Sequence, residues 1–362
     1  MNDKNKNYFF NKTLAFGRVS LTQKAIFAKH LAVMLKSGLS ITEALSVARD
    51  SAEGRLKKTL GKILKAVESG HPLADALAEY PEIFSGFFIH SIYAAEASGT
   101  LAESLENLAE QLKKEKELVG KIRGAMIYPL IVLLAAVILG AVLSIVVLPK
   151  ITPLFESLRV DLPGSTKMLI KFSRFMSARG SVVMVGIAVS FVVGAWLWRR
   201  VFMQPFIHKL IMSLPISGKI SRNLNLTRFC RTLGLLLKNG IAIDSALNIT
   251  AETMPNYYYR KAIGNITDGV RRGAKLSISL EKRDDLFPRL LTRMVKVGEE
   301  SGRYEETLFY LADFYENEVD SSVKSLSATI EPVLLLIMGA AVAFMAIAII
   351  TPIYDITGRL GR

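Results

Sequence analysis

Two glutamates draw attention first, because each stands three residues before a glycine in a closely similar quartet: Glu96 in EASG, residues 96–99, and Glu299 in EESG, residues 299–302. A carboxylate so placed can accept backbone N–H bonds at a tight helix-to-helix corner, with Gly99 or Gly302 supplying the positive φ that other residues resist. It could instead form a docking surface, hold a hard cation, or act as a catalytic acid or base. A calcium-like ion needs several oxygen ligands, and only Glu103 and Glu106 lie near Glu96 in sequence. The corner reading needs the fewest helpers.

The other residues capable of chemistry point away from catalysis. The Gly-Lys pairs beginning at Gly61, Gly120 and Gly218 lack a glycine five residues earlier, so there is no phosphate-cradling GxxxxGK[ST] loop and no ATPase of that type. His30, His71, His90 and His208 are scattered, with no HExxH or CxxC beside them, and a zinc site is not expected. Cys230 is the single cysteine, which excludes an intrachain disulfide. The expectation is a protein with no cofactor, no bound metal and no catalytic residue.

The glutamate corners belong to a larger repetition. FAKHLAVMLKSGLSITEAL, residues 27–45, returns as FCRTLGLLLKNGIAIDSAL, residues 229–247, with eight of nineteen positions identical at an offset of 202. Gly38 and Gly240 are among the identities. The offset then becomes 203, pairing Glu96 with Glu299, Gly99 with Gly302, Leu105 with Leu308 and Pro129 with Pro332. A match sustained through one single-residue shift is the signature of a duplicated unit. Gly38, Glu96, Gly99 and Pro129, with Gly240, Glu299, Gly302 and Pro332, are the candidate structural and coupling residues.

The period of both copies is helical. In the first, a helix capped by Thr22 is expected to run to about Lys36, with others at Ile41 to Asp50, Arg55 to Ser69, Pro72 to Glu79, Ser85 to Ala97, and onward from Thr100. Ser40 followed by Glu43 reads as a capping box, and Gly38 sits where a left-handed C-cap belongs. Along the last helix Glu110 with Lys114 and Glu117 with Lys121 form i,i+4 pairs expected on an outer face.

Half of the residues are apolar, and they are concentrated. Gly124–Pro149, Gly180–Trp198 and Pro332–Tyr354 run 26, 19 and 23 residues without a charge, and about 20 helical residues cross a bilayer core. Arg199 and Arg200 behind Trp196 and Trp198 make an interfacial anchor for the middle run. The net charge of +14 is spread as +4, +4 and +6 over residues 1–126, 150–180 and 199–328. That diffuse excess suits a membrane protein with charged domains better than a nucleic-acid groove. Nothing in MNDKNKNYFFNKTLAF resembles a secretion signal, so the large domains are expected in the cytoplasm.

The expected fold is all-α: two homologous cytoplasmic helical bundles of about six helices each plus three transmembrane helices. The layout places a lead-in at 1–20, bundles at 21–125 and 199–328, and spans at 126–149, 180–198 and 329–354. A short periplasmic or external segment lies at 150–179 and an external tail at 355–362. The spans carry no interior charge that would mark an ion or proton path, and Glu331 stands at the mouth of the third.

The paired FAKHLAVMLKSGLSITEAL and RFCRTLGLLLKNGIAIDSAL segments, EASGTLAESLENLA and EESGRYEETLFYLA, LPGST, and EPVLLLIMGAAVAFMAIAIITPIYDI together resemble the type II secretion system F / type IV pilus assembly PilC family over about residues 21–357. That resemblance implies a non-catalytic inner-membrane platform protein. Its implied partners are a separate hexameric assembly ATPase, pilins or pseudopilins, inner-membrane accessory proteins, membrane lipid and further copies of itself, with no direct nucleic-acid partner. A competence pseudopilus is the alternative within the family; a membrane enzyme or transporter, or a tethered nucleic-acid binder, is the alternative outside it.

Overall fold

The structure is a computed structural model that describes residues 19–142 and 203–360, with isolated positions between 168 and 194. The expected second span, external segment and lead-in therefore lie outside the continuously described residues. Among the described residues every regular element is a helix. The first repeat contains α1 (Leu21–Lys36), α2 (Ile41–Asp50), α3 (Gly54–Glu68), α4 (Leu73–Ala78), α5 (Gly86–Ser98) and α6 (Leu101–Val142). After α7 (Gln204–Ser213) the second contains α8 (Pro215–Lys238), α9 (Ile243–Thr253), α10 (Tyr257–Arg271), α11 (Leu276–Glu281), α12 (Arg289–Ser301) and α13 (Tyr304–Leu360).

Capping residues set several of these boundaries. Ser40 accepts from the Glu43 amide at 3.3 Å while the Glu43 carboxylate accepts from the Ser40 amide at 3.0 Å, closing the box that starts α2. The start of α1 differs from expectation: Ser20, not Thr22, is the N-cap. Ser20 pairs reciprocally with Gln23, the glutamine three residues on, at 3.2 and 2.9 Å, which leaves Thr22 inside the first turn.

Each repeat closes on an aromatic nucleus. Phe84 packs against Phe27 and Phe88 with ring centroids 5.8 and 5.2 Å apart. In the second repeat Phe287 meets Phe229 and Tyr259 at 5.3 and 5.6 Å, and the buried Tyr259 hydroxyl donates to the Leu286 carbonyl at 2.9 Å. That bond offsets the cost of carrying a phenol's polar end into the core.

The chain divides into two compact units. One comprises the helical parts of both repeats, up to Gly120 in the first and Gly218–Val319 in the second. Within it α9 packs on α5, and α8 is polar-bonded to α6, so the two bundles share one body. The other unit takes the described residues of Lys121–Ser217 and Asp320–Arg362. Here the later parts of α6 and α13 present large apolar side chains outward, among them Leu130, Ile131 and Val137 on α6 and Leu335, Leu336 and Ile347 on α13. Among the described residues two helices are long and apolar enough to cross a membrane, and almost none of their apolar windows is buried. The core helix of a soluble protein would be mostly buried, and these windows are not.

Candidate functional site

The two glutamates cap a helix from a distance. Glu96 lies near the end of α5, and its two carboxylate oxygens accept from the Leu73 and Ala74 amides at 2.6 and 2.9 Å. These are the first amides of α4, whose N-cap is Pro72, a residue with no side-chain oxygen to offer. The carboxylate supplies the missing acceptor and the negative charge that a helix N-terminus favours. Glu299 on α12 does the same for α11, accepting from the Leu276 and Ser277 amides at 2.9 and 3.3 Å and from the Ser277 hydroxyl.

The second copy is the more heavily built. Burial works against the charge of Glu299, but bonds from the Ser277 and Tyr304 hydroxyls and the two amides outweigh it and hold its pKa below the ordinary carboxylate value. Burial and the bond to Glu299 push the Tyr304 phenol up. The first repeat has Leu101 where the second has Tyr304, and Glu96 lacks that partner.

Gly99 and Gly302 follow at φ of +70° and +71°. In both, the next amide reaches back to close the helix: Thr100 donates to the Ala95 carbonyl and Arg303 to the Gly298 carbonyl, each at 2.9 Å. A side chain at this φ costs about 1 kcal/mol or more. Gly38 and Gly240 end α1 and α8 at φ of +87° and +76°. The structure thus brings Glu96 with Gly99, and Glu299 with Gly302, to the turn before the longest helix of each repeat. Pro129 lies buried within α6 and Pro332 exposed within α13, both away from these corners.

An ionic seam between the repeats is not apparent from the sequence pattern. Lys114 bonds Asp313 at 3.2 Å rather than the Glu110 expected along the helix, and Lys121 bonds Asp320 at 2.6 Å. From α6 both lysines reach an acid of α13. Arg228 of α8 reaches Glu115 at 3.2 Å, Lys238 reaches Glu103 at 3.4 Å, and Asn239 donates to the Ser104 hydroxyl at 3.2 Å. Within the second repeat the buried Arg231 joins Asp313 and Glu316 at 2.9 and 2.5 Å. The one available hint was Lys29 and Lys36 recurring as Arg231 and Lys238. Among the described residues no cluster of His, Cys, Asp and Glu has the makings of a metal site, and both Glu96 oxygens are taken by amides.

Duplicated bundles with dipole-capping corners, joined by a charged seam, define an all-helical, internally repeated class whose long last helices are apolar enough to cross a membrane. The description "Type II secretion system (T2SS), protein F" matches the chain twice, over residues 27–149 and 229–352, the two copies starting at Phe27 and Phe229. The chain is 33% identical over 355 residues to the type IV pilus assembly protein PilC of Myxococcus xanthus, covering 95% of this chain and 83% of that protein. It is 34% identical to the PilC of Thermus thermophilus, covering 94% and 84%. It is 31% identical to the type II secretion system protein F of Vibrio cholerae, covering 96% and 86%. The chain belongs to the type II secretion system F / PilC family.

Proposed function

We propose that this protein is the non-catalytic inner-membrane platform of a type IV pilus or type II secretion system. It couples a cytoplasmic assembly ATPase to the extraction of pilins or pseudopilins and their addition to a filament. The observation that carries the reading is the duplicated bundle whose last helix, in each copy, continues into an exposed apolar stretch. Relatives named for pilus assembly and for type II secretion support it. In this reading three spans at 126–149, 180–198 and 329–354 anchor the chain, both bundles face the cytoplasm, and motor and accessory proteins dock on them. Lipid surrounds the bare helices. The glycine corners then hold the angle between each bundle and its long helix, so that force applied to a bundle moves that helix rather than bending the turn.

The test is co-purification of the protein with the assembly ATPase of its own system from detergent-solubilised membranes, together with a filament or secretion count. Wild type is expected to retain the ATPase, and deletion to abolish filaments or secretion. Gly99→Asp with Gly302→Asp, at unchanged membrane abundance, is expected to weaken both. Intact filaments and secretion after deletion, with no ATPase retained, would overturn the reading.

A further inference from the structure

We propose that the cleft between the two repeats is a binding site for a purine nucleoside monophosphate. This goes beyond the platform reading and does not depend on it.

The cleft opens where α5 of the first repeat meets α9 and the end of α10 of the second, and it encloses about 430 Å³. That volume lies within the range of small-molecule sites, which form preferentially where two structural units meet. Its apolar part is Ala94 and Ala97 of α5 with Ile241 and Ile249 of the second repeat. Its polar part is His90 and Tyr93 on α5, Ser245 and Asn248 on α9, and Arg271 on α10. Apolar surface with a few converging polar groups is the composition of a ligand pocket.

The duplication shows that the fold does not require these polar residues. At the counterpart positions the first repeat has Glu43, Ser46 and Glu68 in place of Ser245, Asn248 and Arg271, and the second has Arg293 and Lys296 in place of His90 and Tyr93. The same helices therefore form with two acids on one side and two cations on the other. Opposite charges of that kind would serve plain attraction between the repeats. The cleft instead carries neutral hydrogen-bonding groups, two rings and one guanidinium.

Each of these selects a part of the ligand. Tyr93 is 62% exposed and offers a ring on which a base can stack. Asn248 donates to Glu252 at 3.2 Å, which leaves its carboxamide oxygen to accept from the exocyclic amino group of adenine or guanine. Arg271 meets Asp244 through Nε at 3.5 Å, and its terminal N–H pair is left for two oxygens of a phosphate. One cation and no glycine-rich loop suit a single phosphate rather than a triphosphate.

The test is equilibrium dialysis of the full-length, detergent-solubilised chain, purified from cells lacking the assembly ATPase, against radiolabelled AMP and GMP. Saturable binding of one nucleotide per chain is expected for at least one of them. The matching nucleoside, which lacks the anion, and inorganic phosphate, which lacks the ring, should each compete about ten-fold less well or worse. Arg271→Gln and Tyr93→Ala should each weaken binding about ten-fold or more. Asp244→Asn removes the carboxylate that competes for the guanidinium and is expected to tighten binding, a result that no misfolded chain would give. Absence of saturable binding for both nucleotides, competition by phosphate alone as strong as by the nucleotide, or an affinity indifferent to the three substitutions would each overturn the proposal. The readout needs neither ATPase nor filament, so failure here is distinct from failure of the platform reading.

Discussion

The two repeats share a fold and hold it by different means. In the first, α1 and α2 are open to solvent on one side, and both begin with complete capping boxes, Ser20 with Gln23 and Ser40 with Glu43. In the second, the position of Ser40 is held by Ala242, which offers no side-chain acceptor, and α9 is packed against α5 instead. Where a helix end meets water, local hydrogen bonds fix it; where tertiary packing covers the helix, the cap has been dispensed with. The cations diverge in the same sense. Lys29 and Lys36 form exposed pairs with Glu106, whereas Arg231 is sunk against Asp313 and Glu316.

The largest test of this contrast is Arg231→Ala against Lys29→Ala. Removing Arg231 leaves Glu316 largely buried, with a side-chain exposure of 14%, and without its guanidinium, which is expected to cost about 3–5 kcal/mol. Lys29→Ala leaves Glu106 with Lys36 on an exposed surface and is expected to cost about 1 kcal/mol or less. Melting of the detergent-solubilised chain measures both. Equal losses would erase the distinction between the repeats.

Close helix approach gives the next test. A Cβ on Gly298 would sit 2.9 Å from the Thr307 hydroxyl, whereas the first repeat carries Ala95 at the same place. Gly298→Ala is therefore expected to destabilise by about 1–3 kcal/mol despite the better helix propensity of alanine. Ala95→Gly should lose about 1 kcal/mol. Stabilisation by Gly298→Ala would show that Thr307 moves aside freely.

Capping is the smaller contrast. Ser40→Ala is expected to cost about 1 kcal/mol, and Ala242→Ser to return well under that, because α9 is already positioned by α5. A gain from Ala242→Ser as large as the loss from Ser40→Ala would mean that both helix starts depend on their caps alike.

These contrasts also mark what sequence reading can reach. The duplication was legible because identities persisted through one change of offset, and the box at Ser40 because its two partners are three residues apart. The glutamates were conspicuous for their spacing to glycine, but their acceptor role spans 23 residues, from Leu73 to Glu96 and from Leu276 to Glu299. No local rule pairs positions so far apart. Lys114 misled for a related reason: a helix-periodic acid, Glu110, was available along the chain, while the acid it bonds lies 199 residues on. Asn223, Asn225 and Arg231 of α8 are buried by neighbouring helices, which a pattern local to α8 does not name.

The smallest expected effect separates the repeats by pH. Lys29 and Lys36 donate to Glu106 and hold its pKa down to about 2, against an ordinary 4.5. The folded state thus binds this proton more weakly than the unfolded one. The resulting stabilisation is complete above about 4.5 and is lost as pH falls toward 2. In the second repeat the counterpart of Glu106 is Phe309, which does not titrate. Amide exchange in α1 should therefore quicken relative to α8 as pH drops through that window, after correction for intrinsic rates. Glu106→Gln should flatten the difference. Because the group is exposed, added salt should shrink it as well, while leaving the buried Arg231 cluster nearly unchanged; a salt-insensitive difference would place its origin elsewhere than in this pair.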